Sequence, residues 1–383
     1  MAVSEGAKRK ESNMQFVVSK QDIQRELGFV QGVVEKKNTI PVLSNILIES
    51  VGDHTLRLTG TDLEATIRCE MEADISIQGK ICVQARKLFE IARLLPDAPV
   101  TFKKEANDWV TVTCDKTKFK MVGVSNEAFP EVPSTKSAPT TISAAVIKTF
   151  IDRTIFAITQ EESRYTLSGA KLIMDAEGAK MVTTDGHRLA YIERKSTAKN
   201  GASESIDTLI PRKTLAELTK IATGHEGDIN IWMDANHIFF EVGKRLLISR
   251  MLYGQFPNYD MVMPKTNDKK VEFDTALLNQ AIRRVALMAD ERSRSIRFHL
   301  EPEQLVISSQ NAEEGEASES VQTDYSGEET DIGFNAQYLQ DFLNVIGDGK
   351  VAFEFKDGNS QAQLRPAERG EYDYKYVVMP MRI

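Results

Sequence analysis

The chain has 383 residues, of which 41% are hydrophobic and 27% charged, and this balance predicts a folded protein of two to four domains. Its net charge of −8 argues against a protein that grips nucleic acid with its whole surface, because such proteins are basic. No apolar run approaches the ~18 residues needed to cross a bilayer, so no membrane association is expected. The cysteines (Cys69, Cys82 and Cys114) form no C-x-x-C pair, which fits the reducing cytoplasm and argues against disulfides and structural zinc.

The chain opens with residues 1–13, a polar segment without the apolar core of a secretory signal. We expect this extension to be disordered. Its basic residues Lys8, Arg9 and Lys10 are interpreted as solvated charges, with nucleic-acid contact as the alternative.

From Met14 onwards one pattern begins three times, near residues 14, 139 and 270. A short strand ends in an apolar residue, a helix N-cap residue follows, and apolar residues then recur at helical spacing. The predicted caps are Ser19, Ser143 and Asp274. The predicted buried stripes are Ile23, Leu27, Val30 and Val34; Ile147, Ile151, Thr154 and Ile158; and Leu278, Ile282, Val285 and Ala289.

The second half of the pattern also repeats. A strand ends in a polar turn that contains Asp62, Asp185 or Asn311, a second helix follows, and alternating strands close each copy. The inward positions of the second helix are predicted as Phe89, Ala92 and Leu95; Leu215, Leu218 and Ile221; and Leu339, Phe342 and Val345. We therefore predict three tandem α+β domains, at 14–139, 140–268 and 269–383, each with two helices packed on antiparallel sheet.

A search for catalytic chemistry finds no phosphate-binding, dinucleotide-binding, metalloprotease or serine-hydrolase motif, and the five histidines are scattered. No cofactor and no metal are therefore expected. The cluster Asp185, His187 and Arg188 lacks a nucleophile or further ligands, so an Asp-Gly turn is favoured over an acid–base role. The acidic stretch Glu313, Glu314, Glu316 and Glu319 predicts a solvated strand edge, with a divalent-ion site as the alternative.

Three sequence segments carry a resemblance to a known family: TTDGHRLA in the second repeat, FPNY…MP at its end, and the terminal YVVMPMRI. Together with the triplication, they resemble the β subunit of bacterial DNA polymerase III, the sliding clamp, from Met14 to Ile383. The resemblance implies a non-catalytic head-to-tail homodimer, a ring with helices facing the encircled duplex without sequence preference. It also implies loading by an ATP-driven clamp loader and tethering of the replicative polymerase, other DNA polymerases and repair proteins through short peptides. Such a protein works in the cytoplasm, on nucleoid DNA.

The same resemblance assigns residues to three surfaces. The implied peptide-binding pocket comprises Leu167, Thr184, Gly186, His187, Arg188, Leu189, Pro257, Met261, Val262, Asn335, Tyr338, Val377, Val378, Met379, Pro380, Met381 and Arg382. The implied DNA-facing residues are Lys37, Arg86, Arg164, Arg212 and Lys213. The implied dimer contacts are Lys118, Phe119, Leu287 and Met288.

The sequence departs from the family pattern in its N-terminal extension, at Met261, where a basic residue is frequent, and at the terminal Ile383, where leucine is frequent. Both Met261 and Ile383 keep an apolar wall, so changed affinity is expected without loss of binding. Two alternatives to the clamp stay open: a clamp-like scaffold without DNA tethering, and an enzyme built on the Asp185 cluster.

Overall fold

The structure is a computed structural model that describes residues 13–34, 40–105, 107–161, 163–195 and 205–382. The first twelve residues, Lys37 and Ile383 each carry a prediction from the sequence, and they lie outside the described residues.

The described residues form α-helices and β-strands that follow one another in the repeated order expected from the sequence. The helices are α1 (Lys20–Val33), α2 (Ala85–Leu94), α3 (Ala144–Thr154), α4 (Arg212–Ala222), α5 (Thr275–Val285) and α6 (Ala336–Ile346). The strands are β1 (Gln15–Val18), β2 (Asn45–Val51), β3 (Thr55–Thr61), β4 (Ala65–Glu72), β5 (Asp74–Ile77), β6 (Lys80–Gln84), β7 (Val100–Lys104), β8 (Trp109–Cys114), β9 (Thr117–Val124), β10 (Thr140–Ser143), β11 (Gly169–Asp175), β12 (Gly178–Thr184), β13 (Arg188–Lys195), β14 (Ile206–Pro211), β15 (Asp228–Met233), β16 (His237–Val242), β17 (Arg245–Arg250), β18 (Lys269–Asp274), β19 (Ser295–Glu301), β20 (Gln304–Asn311), β21 (Gly315–Gln322), β22 (Thr330–Asn335), β23 (Lys350–Phe355), β24 (Ala362–Pro366) and β25 (Asp373–Val378).

The chain divides into two compact units. Unit 1 comprises Met1–Ala144 and Ala216–Arg250. It contains one sheet of 13 strands in the order β10-β15-β16-β17-β4-β3-β2-β6-β9-β8-β7-β1-β5, with every neighbouring pair antiparallel. Strand β17 of the second repeat pairs with β4 of the first along Arg245–Ser249, so unit 1 holds the first repeat and the closing strands of the second.

Unit 2 comprises Ala145–Leu215 and Met251–Ile383. It contains an eight-stranded sheet in the order β14-β11-β12-β13-β25-β24-β23-β18 and a four-stranded sheet in the order β21-β20-β19-β22. Strand β25 near the C-terminus pairs antiparallel with β13 of the second repeat, with Arg188 opposite Val378. This pairing brings the TTDGHRLA segment and the terminal strand together.

The predicted helix starts are confirmed. Ser19 caps α1 by accepting a hydrogen bond from the amide of Asp22 at 3.4 Å. Asp274 caps α5 through the amide of Leu277 at 2.9 Å, and α3 begins directly after Ser143. Since a cap satisfies amides that have no partner within the helix, the side chains of Ser19 and Asp274 fix where α1 and α5 start.

The predicted buried stripes are largely confirmed, with three corrections at helix ends and centres. Phe89 is only half-buried, and Leu88 points into the core instead. In α6, Val345 is half-buried and Leu343 takes its place. Val34 lies past the end of α1 and is half-buried. In α2 and α6, neighbouring apolar residues offer overlapping stripes, and tertiary packing buries Leu88 and Leu343 while the other predicted positions stay buried.

In each of the three polar turns predicted to be equivalent, the Asp or Asn side chain accepts a backbone amide of the turn. Asp62 accepts hydrogen bonds from the amides two and three residues later at 2.9 and 2.7 Å. Asp185 does the same at 3.0 and 3.0 Å, and Asn311 accepts from the amide of Glu313 at 3.0 Å. Each turn joins two antiparallel strands, so the repeat is preserved even where the sequence has diverged.

Unit 1 also buries a charge. Glu26 on α1 has a side chain that is 3% exposed, and Arg245 on β17 donates to both of its carboxylate oxygens at 2.7 Å. Arg25 donates to one of the same oxygens at 2.8 Å, and the Arg245 guanidinium stacks 4.2 Å from the ring centroid of Phe29. This cluster fastens the first helix of the first repeat to the last strand of the second.

Candidate functional site

The site predicted around TTDGHRLA begins with a rigid turn between β12 and β13. Asp185 accepts the amides of His187 and Arg188, while the Thr184 hydroxyl accepts the amide of Gly186 at 3.0 Å and donates to the carbonyl of Arg188 at 2.6 Å. Gly186 has φ +90°, a conformation that a residue with a Cβ rarely adopts. Thr184 and Asp185 therefore supply side-chain hydrogen bonds within this turn, and Gly186 supplies its backbone conformation.

Arg188 is held far more tightly than a residue at the edge of a turn requires. Its side chain is 9% exposed and donates to Asp185 at 3.0 Å, Asp341 at 2.5 Å and the carbonyl of Phe156 at 2.7 Å. The guanidinium also lies 4.4 Å from the ring centroid of Tyr338. Burial alone would lower the pKa of Arg188, but the hydrogen bond to Asp341 and the charge of Asp185 outweigh it, and the pKa lies above its ordinary value. The interpretation that Arg188 only flanks a turn is therefore incomplete.

Beside this turn lies a small apolar cavity of about 100 Å³. Its walls are formed by Leu167, Thr184, Gly186, His187, Arg188, Leu189, Pro257, Tyr259, Val262, Val377 and Met379. Leu189 and Val377, at 2% and 1% exposure, belong to a buried cluster with Val182, Leu209 and Phe256. A concave apolar surface on a packed foundation is suited to receiving the apolar side chains of a ligand.

The C-terminal tail closes one side of this pocket. The amide of Met379 donates to the carbonyl of His187 at 2.9 Å, and the amide of Met381 donates to the carbonyl of Gly333 on β22 at 2.8 Å. Met379 remains 38% exposed. The flexible thioether is thus anchored through its backbone while its side chain stays available to a ligand.

Of the residues predicted for the pocket, ten line it. The other predicted residues are not among those that line it: Met261, Asn335, Tyr338, Val378, Pro380, Met381 and Arg382. Val378 is fully buried and Met261 is 79% exposed, so neither side chain forms a wall of the cavity.

Tyr338 and Asn335 occupy the start of α6, next to the pocket. Asn335 caps this helix by accepting the amides of Gln337 and Tyr338, so it has a structural role there. The ring of Tyr338 stacks on His187 with centroids 6.5 Å apart. Burial raises the pKa of the Tyr338 phenol, which therefore stays neutral near pH 7.

Sequence reasoning missed Tyr259, which lines the pocket and packs on Tyr191 with ring centroids 6.1 Å apart. The signal was the FPNY segment itself, since the flanking residues Pro257 and Val262 were both assigned to the pocket.

The described residues that were predicted to face DNA lie on or beside helices. Arg86 on α2 is 62% exposed in its side chain and pairs with Glu90 at 3.4 Å. Arg212 and Lys213 open α4. Arg164 donates to the carbonyl of Asp185 at 2.7 Å, so it also supports the pocket turn.

The residues predicted for the dimer contact lie in the two units. Lys118 and Phe119 lie on β9, and Leu287 and Met288 lie in the 3-10 turn Ala286–Met288 that follows α5. Leu287 is 77% exposed.

None of the α-helices in the described residues has the length and hydrophobicity that a bilayer crossing requires. In the same part of the chain, no three His, Cys, Asp or Glu side chains converge as metal ligands. The acidic stretch proposed as an alternative ion site instead pairs Glu319 with Arg284.

Comparisons with known proteins agree with this architecture. Models of the DNA polymerase III beta subunit match the chain in three consecutive parts: the N-terminal domain at 14–133, the central domain at 141–258 and the C-terminal domain at 260–382. The chain is 36% identical over 373 residues to the beta sliding clamp of Pseudomonas aeruginosa and 35% identical over 378 residues to that of Caulobacter vibrioides. Each alignment covers 97% of this chain and 100% of the relative.

A crystal structure of the P. aeruginosa sliding clamp bound to griselimycin has a TM-score of 0.90 to this chain. The two are 35% identical, and the match covers 97% of this chain and 100% of that one. The fold and the comparisons define a protein of three tandem clamp domains. The chain belongs to the family of DNA polymerase III beta subunits, the beta sliding clamps, and it is a DNA sliding clamp of the replication machinery.

Proposed function

We propose that the chain works as a non-catalytic homodimeric ring around duplex DNA and that the pocket closed by Met379 receives short peptides from its clients. The clients are the replicative polymerase, other DNA polymerases and repair proteins, and an ATP-driven loader opens the ring. The protein works in the cytoplasm on nucleoid DNA, and its three domains span 14–139, 140–268 and 269–383.

The pocket is the observation that carries the proposal of peptide docking. It combines apolar walls with a rigid polar turn, and a strand end at Val377 and Met379 lies along it. An extended peptide can bury apolar side chains there, and a cavity of about 100 Å³ suits individual side chains better than a folded domain.

The hydrogen bonds that Asp185 makes within the chain support a non-catalytic role. One carboxylate oxygen of Asp185 accepts two backbone amides, and the other accepts the Arg188 guanidinium. An acid–base residue must exchange protons with a substrate, whereas Asp185 is engaged in holding the turn.

A free strand edge in each unit supports the homodimer. In the described part of the chain, Thr117–Val122 of β9 pairs only with β8, and β21 pairs only with β20. The exposed side chains on β9 include Lys118 and Lys120, whereas β21 exposes Glu316. Pairing the basic edge of one chain with the acidic edge of its partner would cover both edges and would bring Phe119 near the exposed Leu287.

The ion pairs on the helices support the proposal that the protein is retained on DNA because the ring encloses the duplex, and less by direct affinity. Several basic residues that could face DNA are already paired within the chain, such as Lys148 with Asp152 at 2.5 Å and Arg86 with Glu90. Weak contacts to phosphate give no sequence preference and leave the ring free to slide.

The pocket is tested with griselimycin, the ligand bound to the P. aeruginosa relative. We expect the full chain to bind it, and Met379→Ser to weaken binding on the order of tenfold because apolar contact area is lost. Leu94→Ser is the matched control, since Leu94 is 77% exposed and lies outside the pocket lining. Isothermal titration calorimetry measures all three proteins, and unchanged affinity in Met379→Ser would refute the assignment of the site.

A further inference from the structure

A half-buried carboxylate behind the pocket has no role in the peptide site described above. Asp341 lies on α6, and its side chain is 22% exposed. One oxygen accepts the Arg188 guanidinium at 2.5 Å, and the other accepts the side-chain amide of Gln337 at 2.7 Å. Asp341 is not among the residues that line the cavity, so any effect on a ligand must pass through its neighbours.

The neighbour that matters is Arg188, which makes three hydrogen bonds to three separate elements. They reach Asp185 in the turn, the carbonyl of Phe156 in the 3-10 turn after α3, and Asp341 on α6. A planar guanidinium with three directional bonds has one orientation. Of these bonds, the one to Asp341 ties the turn to α6.

Through two ring contacts, the orientation of Arg188 reaches His187, a residue that lines the pocket. Its guanidinium lies 4.4 Å from the ring centroid of Tyr338, and that ring stacks on His187. The backbone at Tyr338 is held independently of the ring, because its carbonyl accepts the buried hydroxyl of Tyr376 at 2.9 Å. Removal of Asp341 leaves the guanidinium bonded to Asp185 and to the carbonyl of Phe156 but without its bond to α6. The guanidinium and the ring of Tyr338 that rests on it therefore gain freedom relative to the turn, while the backbone of α6 stays anchored.

We propose that Asp341 is a positioning residue of the peptide pocket: through Arg188 it holds Tyr338 and the Thr184–Arg188 turn in the conformation that accepts a ligand. The inference rests on the proposed function of this pocket. Without Asp341, the pocket populates the competent arrangement only part of the time, and the observed affinity falls by that fraction.

Four variants of the full chain test the proposal with griselimycin as the probe. Asp341→Ala is expected to weaken binding on the order of tenfold. Asp341→Asn retains the shape and one acceptor oxygen, so it is expected to restore part of the affinity. In the background of Tyr338→Ala, the further change Asp341→Ala is expected to cost less than about threefold, because residues that act through one another are not additive.

Glu354→Gln is the matched control. Glu354 on β23 receives Arg365 at 2.8 Å with side-chain exposures of 16% and 24%, so it resembles the Asp341 pair in burial without lining the pocket. Thermal unfolding of each variant measures the structural cost, and titration measures the affinity. We expect the substitutions at Asp341 and at Glu354 to lower the midpoint of unfolding. Only the substitutions at Asp341 should lower the affinity for griselimycin.

The outcomes separate the inference from the function beneath it. If the unchanged chain does not bind griselimycin, the proposed function of the pocket is wrong, and so is the proposed role of Asp341. If the unchanged chain binds but Asp341→Ala binds equally well, Asp341 is only structural and the inference is wrong. Equal weakening in Glu354→Gln, or full additivity with Tyr338→Ala, would also overturn it.

Discussion

Replacement of the buried carboxylate of Glu26 with an amide, in Glu26→Gln, should strongly destabilise unit 1. Removing one partner of a buried ion pair costs roughly 3–5 kcal/mol, because the other charge is left without compensation. Arg245 is 21% exposed and Arg25 is 52% exposed, so both orphaned guanidinium groups regain some water. We therefore expect a loss near the lower limit, about 3 kcal/mol at pH 7, or a midpoint lowered by about 6–12 °C.

The same carboxylate gives the prediction a pH signature. Burial favours the protonated form of Glu26, but the hydrogen bonds from Arg245 and Arg25 outweigh it, so its pKa lies below the ordinary value. A carboxyl whose pKa is depressed by folding contributes stability above its unfolded pKa of about 4.3 and loses that contribution as the pH falls through the folded pKa. The difference in the free energy of unfolding between the unchanged chain and Glu26→Gln should therefore be complete at pH 7 and become smaller below about pH 4.

Tryptophan fluorescence during urea unfolding is the assay, since both tryptophans of the chain, Trp109 and Trp232, lie in unit 1. The control is Glu72→Gln, which removes a pair with Lys244 whose side chains are 86% and 67% exposed and should be nearly neutral. A cost below about 1 kcal/mol for Glu26→Gln, or a difference that persists unchanged at pH 3, would refute this reasoning.

Other predictions concern the interface, the tail and the turn. Phe119→Asp and Leu287→Asp should each convert the homodimer to monomer in sedimentation velocity, because a charge replaces an apolar contact; a stable dimer in both variants would contradict the proposed edge pairing. Deletion of residues 379–383 should abolish griselimycin binding in calorimetry yet preserve the dimer, and retained affinity would show that the tail is not part of the site. Gly186→Ala should lower the free energy of unfolding by about 1–2 kcal/mol and lower the affinity for griselimycin, since its Cβ would lie 3.1 Å from Arg164 at a φ of +90°. Unchanged stability in urea would show that the turn relaxes freely.

The repeat was predictable because short-range sequence signals specify its helix starts and turns. A cap such as Ser19 or Asp274 and a turn residue such as Asp62 or Asp185 act on amides two or three positions away. Three copies of these signals define the domain pattern without knowledge of distant contacts. Helix faces were less certain, since Leu88 and Phe89 are adjacent apolar residues and only tertiary packing chooses between them.

The support behind the pocket could not be predicted in the same way. Arg188 and Asp341 are 153 residues apart, and neither has a local pattern that announces the other. A buried charged network is specified by the packing of separate elements, so its members look like ordinary surface charges in the sequence. For the same reason, the ion pair of Glu26 with Arg245 had no sequence signature.

The central claim, that the protein holds DNA by encircling it, is tested by retention on DNA circles. The chain is loaded onto a nicked plasmid with a clamp loader and ATP, isolated by gel filtration, and followed after a single restriction cut. We predict that the protein stays on the circle and leaves the linear form. Persistence on linear DNA would mean that it grips by contact, and failure to load with an active loader would favour a clamp-like scaffold without DNA tethering.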